Sequence, residues 1–88
     1  MEKKLAVCGI IIEEKDSVSQ INEILHAFAP VIIGRMGLPN PERGVSVISL
    51  ILDATNDEIG ALTGKLGRIK GVSVKTAVAK SQAVKEKD

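Results

Sequence analysis

The sequence predicts an α+β domain of the ferredoxin-like kind, with element order βαββαβ, one four-stranded antiparallel sheet and two helices on one face. Four short segments are rich in β-branched residues, and two others carry apolar residues at every third or fourth position. Clusters of glycine, proline and charged residues separate these segments, as is typical of turns. The order of the six segments along the chain therefore gives the fold class.

The first strand and the first helix have clear sequence signals. Residues 5–12 are almost continuously apolar and end in three isoleucines before an acidic cluster, which predicts a buried strand. Asp16 or Ser17 can cap the helix that follows, and Pro30 ends it. Four apolar residues spaced by three or four positions form the buried stripe of this helix: Val18, Ile21, Leu25 and Phe28.

Two more strands follow as a hairpin. Residues 31–38 are β-branched at their start and are followed by residues 39–44, which combine two prolines with asparagine and glycine. This composition is typical of a connection between paired strands. Residues 45–52 supply the third strand, because their β-branched content is high and turn residues lie on either side.

A second helix and a fourth strand complete the order. Thr55 or Asn56 can cap the helix, acidic residues occupy its first turn, and Gly71 is expected to end it. Residues 72–78 alternate valine with polar residues and predict the last strand. The buried stripe of the second helix comprises Ile59, Leu62, Leu66 and Ile69.

Length and composition limit the classes of function. The chain has 88 residues, so we expect one domain over residues 1–80 and a charged tail over 81–88. A formal net charge of +1 lacks the concentrated positive charge that direct nucleic-acid binding usually needs. A single cysteine permits no internal disulfide, which favours a cytoplasmic location. No apolar run is long enough to span a bilayer, so no membrane partner is expected.

The strands are apolar at both odd and even positions, although an antiparallel strand with one solvated face should alternate. In the first strand, Leu5 and Val7 lie beside Ala6 and Cys8. We therefore expect another subunit to cover the open face of the sheet, in a homo-oligomer that is a dimer or a tetramer.

Three motifs invite a chemical function, and for each we favour a structural interpretation. His26 is the only histidine, and one imidazole is too little for a metal site. Cys8 lies within a strand and is expected to be packed and unreactive. The glycine-rich run at residues 60–67 has the wrong spacing for a phosphate-binding loop, so helix packing is its expected role. The sequence thus predicts no catalytic residue, no metal, no cofactor and no enzymatic activity.

Three segments give the chain a family resemblance: QINEILH at 20–26, RMGLP at 35–39 and NDEIGALTGKLGRIKGVSVK at 56–75. Together they resemble the small regulators of the iron-only (FeFe) hydrogenase system, over roughly residues 4 to 78. The resemblance implies an ACT-like ferredoxin fold, a type that commonly senses small molecules at subunit interfaces, and a transcription-associated regulatory role. The chain is also similar to the ligand domain of nickel-responsive repressors, which use several histidines where this chain has one.

These observations predict an oligomeric regulator that senses a small molecule, in which a protein partner is a further candidate. The expected pocket lies between the loop after the first strand and a neighbouring subunit. Its candidate residues are Glu13, Glu14, Asp16 and Ser17, with Arg35, Gly37, Gly60, Thr63 and Gly64 as second choices. The alternative is a regulator that binds DNA directly once its oligomer gathers Lys65, Arg68, Lys70, Lys75 and Lys80 into one basic patch.

Overall fold

The computed structural model describes residues 2–40 and 42–80. It confirms the predicted α+β fold and its element order, with short 3-10 turns on both sides of the first helix. The predicted tail at 81–88 lies outside the described residues. The elements are β1 (Lys3–Ile12), α1 (Val18–Ala27), β2 (Ile32–Asn40), β3 (Val45–Thr55), α2 (Asn56–Gly67) and β4 (Val72–Val78).

The four strands form one antiparallel sheet in the order β2-β3-β1-β4. The two longest strands, β1 and β3, occupy the centre and pair along their full length from Lys3 opposite Thr55 to Ile12 opposite Ser46. The shorter strands β2 and β4 form the edges. This arrangement leaves one sheet face to the helices and one face that none of the described elements covers.

The hydrophobic core lies between the sheet and the two helices. In β1 the even-numbered residues from Ala6 to Ile12 are buried, and the odd-numbered residues between them are not. Leu50 and Leu52 of β3 are fully buried. Ile21 of α1 and other residues of the stripes predicted for the two helices are fully buried as well. Each fully buried aliphatic side chain of this size contributes roughly 1.5–3 kcal/mol. The core is therefore mainly aliphatic, and the single aromatic residue, Phe28, packs against it half-buried.

The second helix begins with the predicted cap. The backbone N–H of Glu58 donates to Thr55 Oγ1 at 3.1 Å, and the backbone N–H of Thr55 donates to Glu58 Oε1 at 2.8 Å. This reciprocal capping box satisfies two backbone donors that the helix leaves without partners. It confirms Thr55, rather than Asn56, as the capping residue.

Several predicted element ends are wrong: β1 begins at Lys3 rather than at residue 5, and β3 ends at Thr55 rather than at residue 52. Helix α2 ends at Gly67 rather than at Gly71. Gly71 instead occupies the turn into β4 with a φ of +75°, a conformation that side chains disfavour. Strand β2 extends beyond residue 38 to Asn40, because an edge strand tolerates the missing N–H of Pro39.

Strand β2 contains a bulge at Ile33. Ile32 lies opposite Leu52 and Gly34 lies opposite the adjacent residue Ile51, so Ile33 has no partner on β3. After the bulge, Arg35 lies opposite the buried residue Leu50 and thus on the helix side of the sheet. The bulge therefore determines which β2 side chains face the helices.

Candidate functional site

The sheet face away from the helices is apolar. Val7 and Ile51 lie opposite each other at its centre, and Leu38 lies opposite Val47 near one edge. Exposed apolar side chains are prominent on this face, at 48% for Val7, 65% for Leu38 and 72% for Met36. We call this surface the open face; a contiguous exposed apolar patch on a small domain is typical of an interaction site.

Charged residues on the open face are Lys3, at the start of β1, and two that lie further into the sheet, Asp53 and Lys75. Asp53 of β3 lies opposite Leu5, and Lys75 of β4 lies opposite Gly9. The two charges thus lie on opposite sides of β1 and at different levels along it. Their separation places one negative and one positive group on the same largely apolar surface.

A groove runs between α1 and β2 on the helix side of the sheet. It consists of adjoining cavities, the largest of which has a volume of about 540 Å³. Asn22 and Arg35 line two of these cavities and so stand between them. Apolar walls dominate the groove, with Leu25 and Ile32 on one side of this pair and Val18 on the other. We call it the α1–β2 groove.

A hydrogen bond holds Arg35 in the groove. Its Nη2 donates to Asn22 Oδ1 at 3.0 Å, which joins β2 to α1. Asn22 is neutral, so this hydrogen bond gives the guanidinium no counter-charge. Lys15 lines the far end of the groove, and within residues 2–40 and 42–80 no Asp or Glu lines the three cavities. The groove is therefore apolar with a positive charge at its centre and another at one end.

The loop after β1, predicted as the first-choice site, is fastened to the turn before β4. The backbone N–H of Glu13 donates to the Gly71 carbonyl at 2.7 Å, and the Ser17 hydroxyl donates to the Lys70 carbonyl at 2.8 Å. Ser17 begins α1 but makes no side-chain cap, contrary to our expectation. Glu13 and Asp16 are exposed and Glu14 is half-buried. The fastening fixes the shape of this loop.

The second-choice residues divide between two places. Arg35 and Gly37 line the α1–β2 groove, whereas Gly60 and Gly64 are exposed on α2, where the Thr63 hydroxyl donates to the Gly60 carbonyl at 3.3 Å. No residue of α2 lines the groove cavities. Binding at each of these positions stays a prediction, but the structure does not bring the α2 residues together with the others.

Helix packing, the role expected for the glycine-rich run, is wrong within the described chain. A Cβ added at Gly60, Gly64 or Gly67 would meet nothing within 4 Å. These glycines thus face open space and allow no close helix contact. The physical reason is that the buried stripe of α2 is occupied by larger aliphatic residues on its other side.

The basic residues of the DNA-binding alternative do not share one surface. Lys65 lies in the last turn of α2, and Arg68 and Lys70 follow it. Lys75 lies on the open face, and Lys80 follows β4. All five are exposed, but the placement of Lys75 on the open face separates it from the three at the end of α2.

Residues that invited a metal or a reactive thiol have other surroundings. Cys8 is fully buried and lies opposite Thr76 of β4. Burial raises the pKa of its thiol, and the neighbouring Thr76 side chain acts more weakly in the opposite direction. His26 is exposed beside the α1–β2 groove. Within residues 2–40 and 42–80, no group of three or more His, Cys, Asp or Glu residues could hold a metal ion.

Membrane insertion by a helix finds no support in the described residues. Neither α1 nor α2 is long and apolar enough to cross a bilayer.

Two features of the groove escaped the sequence analysis. Asn22 carries no motif, and its contact with Arg35 exists only because α1 packs beside β2. Lys15 belongs to the predicted loop, but it lines the groove rather than the side of the loop that is hydrogen-bonded to the turn before β4. Asn22 lies one helical turn from both Val18 and Leu25, at the margin of the apolar stripe, and this position was the signal available in the sequence.

The fold, with one sheet face covered by two helices and one face open, defines a ferredoxin-like α+β domain. Residues 4–76 match the model of the TM1266-like family, described as "Iron-only hydrogenase system regulator, putative". The chain belongs to this family. The sequence resemblance is thereby confirmed.

Solved structures agree with this assignment. The uncharacterized protein TM1266 from Thermotoga maritima is 42% identical, with a TM-score of 0.86 over 90% of this chain and 100% of that chain. An unknown protein from Galdieria sulphuraria is 12% identical, with a TM-score of 0.61 over 91% of this chain and 47% of its own. The de novo designed protein Foldit4 is 16% identical, with a TM-score of 0.57 over 91% and 99%. The last two share the fold alone. The comparison with curated proteins finds no match.

Proposed function

We propose that this chain is a non-catalytic regulatory domain that works as a homodimer, formed when two copies pack their open faces together. The observation that carries the proposal is the exposure of the apolar side chains around Val7 and Ile51 on a sheet that has no second layer. A layer of secondary structure with an apolar face is stable when another layer covers it. A second copy provides that layer.

The size of the open face suits such a dimer. Four strands at about 4.8 Å spacing, each roughly eight residues long, present about 500 Å² of projected area per copy. A pair of faces therefore buries on the order of 1,000 Å² before the relief of side chains is counted, which reaches the lower range of specific interfaces. Packed sheets of this kind interdigitate side chains across about 10 Å.

Charge also supports a twofold pairing. In an isologous dimer each surface meets a copy of itself, so a face with separated opposite charges can be self-complementary. Asp53 and Lys75 are placed in this way on opposite sides of β1. We propose that each pairs with the opposite charge of the second copy, while the apolar centre between them is excluded from water.

A regulatory domain must also respond to a signal, and the α1–β2 groove supports an effector site. Both surfaces share strand β2, since Arg35 lies in the groove and Met36 lies on the open face. An effector that binds differently to monomer and dimer shifts the population between them. The shift between monomer and dimer would change the contact with a protein partner. We place the protein in the cytoplasm, where a lone thiol is kept reduced.

The test is the native mass by light scattering during size exclusion, on the wild type and on two variants. We expect the wild type to be a dimer and Val7→Asp to be monomeric, because a charge at the centre of the apolar face would be buried on association. Ala61→Asp, on the exposed side of α2, is the matched control and should stay dimeric. Circular dichroism confirms folding, and Met36→Asp replaces Val7→Asp if that variant unfolds.

A wild-type monomer at high micromolar concentration would contradict the proposal, as would a Val7→Asp dimer. The DNA-binding alternative makes a different demand, because Lys75 would have to stay accessible on the open face. Salt-dependent retardation of duplex DNA by the wild type, lost in Lys75→Gln, would favour that alternative.

A further inference from the structure

We infer that the α1–β2 groove binds an amphipathic organic anion, a carboxylate with an aliphatic chain, whose head group pairs with Arg35. The inference deepens the proposed function by naming the chemistry of the effector, and it rests on that function only for what binding causes. The groove has three properties that together select this class of ligand: its charge, a fixed donor and a continuous apolar wall.

The first property is the sign of the charge. Among the described residues, Arg35 and Lys15 are the charged ones that line the cavities, beside the histidine His26, and none of the lining residues described is acidic. A cationic ligand would therefore find no partner, and a neutral one would leave the guanidinium without its preferred counter-charge. An anion is the complementary ligand.

The second property is the fixed position of Arg35. The hydrogen bond from Nη2 to Asn22 Oδ1 uses one of the five donors of the guanidinium. The remaining donors can bind a carboxylate with two parallel hydrogen bonds, a geometry that a guanidinium favours. Because Asn22 holds the group in the unliganded protein, less side-chain entropy is lost on binding.

The third property is the apolar wall on both sides of Arg35. Leu25 and Ile32 line the cavity on one side, and Val18 and Ile48 line the cavity on the other. Strand β2 follows the groove from Gly34 to Asn40, which is about 20 Å of extended backbone. A small hydrophilic anion would leave these walls wet, whereas an aliphatic chain would cover them.

Octanoate, octanol and acetate separate these properties experimentally. We expect octanoate to bind the wild type, with amide chemical-shift changes confined to α1 and β2, and to bind at least about tenfold more tightly than octanol or acetate. Octanol lacks the charge, and acetate lacks the chain. Dissociation constants come from titrations followed by amide spectra.

Matched variants test the role of Arg35. Arg35→Gln should weaken octanoate binding about tenfold or more, because it removes a charge-assisted contact. Arg68→Gln, an equivalent change at an exposed residue beyond α2, should leave the affinity unchanged. Arg35 is itself exposed, so the variant is expected to fold, and circular dichroism verifies it.

Three results would overturn the inference: no octanoate binding, undiminished binding by Arg35→Gln, or shift changes centred on the open face. The outcome is independent of the dimer. A dimeric protein that ignores octanoate refutes the effector class alone, and a monomeric protein that binds octanoate through Arg35 refutes the dimer alone.

Discussion

The hydroxyl of Ser17 donates a 2.8 Å hydrogen bond to the carbonyl oxygen of Lys70, 53 residues further along the chain. A second bond, from the N–H of Glu13 to the carbonyl of Gly71, lies beside it. Ser17 is buried, so its hydroxyl would be costly without a partner. These two hydrogen bonds connect the loop after β1 to the turn before β4. They thereby also hold the segment that follows α2 against this loop.

Replacing Ser17 by alanine should destabilise the fold by about 1–2 kcal/mol, because the Lys70 carbonyl loses its donor in a part-buried hydrogen bond. Ser19→Ala, at an exposed position of α1, is the control and should change the free energy of unfolding by less than about 0.5 kcal/mol. Urea denaturation measures both. Equal free energies of unfolding for the two variants would show that water replaces the hydroxyl and that the hydrogen bond does not stabilise the fold.

Gly71→Ala and Gly44→Ala form a matched pair, since both glycines have positive φ. At Gly44 the added Cβ meets nothing within 4 Å, so backbone strain alone should cost about 1 kcal/mol. At Gly71 it would lie 2.6 Å from the Cβ of Glu14. We expect this variant to lose about 3 kcal/mol or more, because strain and overlap add. Denaturation midpoints that coincide would refute the close approach.

The thiol of Cys8 should make stability fall at alkaline pH. Burial raises its pKa in the folded state above the ordinary value of 9.0. Below pH 9 both states carry the proton and the thiol causes no pH dependence. As the pH rises toward the folded-state pKa, the unfolded chain loses the proton first, so its free energy falls relative to the native state.

Urea denaturation between pH 7 and pH 10 measures this dependence, with Cys8→Ala as the reference that cannot titrate at this position. The difference in stability between wild type and variant should shrink above about pH 9. Alkylation by iodoacetamide adds a second readout, because a fully buried thiol should react only after unfolding. Rapid alkylation of the native protein would contradict the burial.

Gly64→Ala should stabilise the protein by up to about 1 kcal/mol, since Gly64 lies in the interior of α2 and its Cβ would face open space. Thermal unfolding measures the gain. The same variant tests Gly64 as a binding residue: if an effector needs close contact with this backbone, the added methyl group would weaken binding. A stabilised variant with unchanged effector affinity would remove Gly64 from the candidate site.

The local features of the fold were predictable from sequence, because they depend on neighbouring residues. The capping box at Thr55 needs only Glu58 three positions later, and the stripe of α2 follows from helical spacing. The contact of Ser17 with Lys70 was beyond prediction, since only the packed fold brings the two together. Sequence therefore placed Ser17 at the start of a helix but gave its hydroxyl the wrong partner.

The candidate site shows the same division. Arg35 and Gly37 were second-choice residues of the predicted pocket, and the structure places both on the α1–β2 groove. Asn22 was missed because its importance comes from a contact between elements and not from a motif. The open face was foreseen from the apolar residues on both sides of the strands, because strand periodicity is a local property.

The bulge at Ile33 determines which side chains of β2 lie in the groove and which lie on the open face. Successive strand residues point to opposite faces, so the extra residue sets the parity of everything after it in β2. If Ile33 were instead paired opposite Ile51 as a regular strand residue, Arg35 would turn to the open face, and Met36 and Leu38 would turn toward α1. The extra residue therefore assigns the cation to the groove and the apolar side chains to the open face. Deleting Ile33 would preserve this assignment, because Gly34 and Arg35 would keep their partners Ile51 and Leu50.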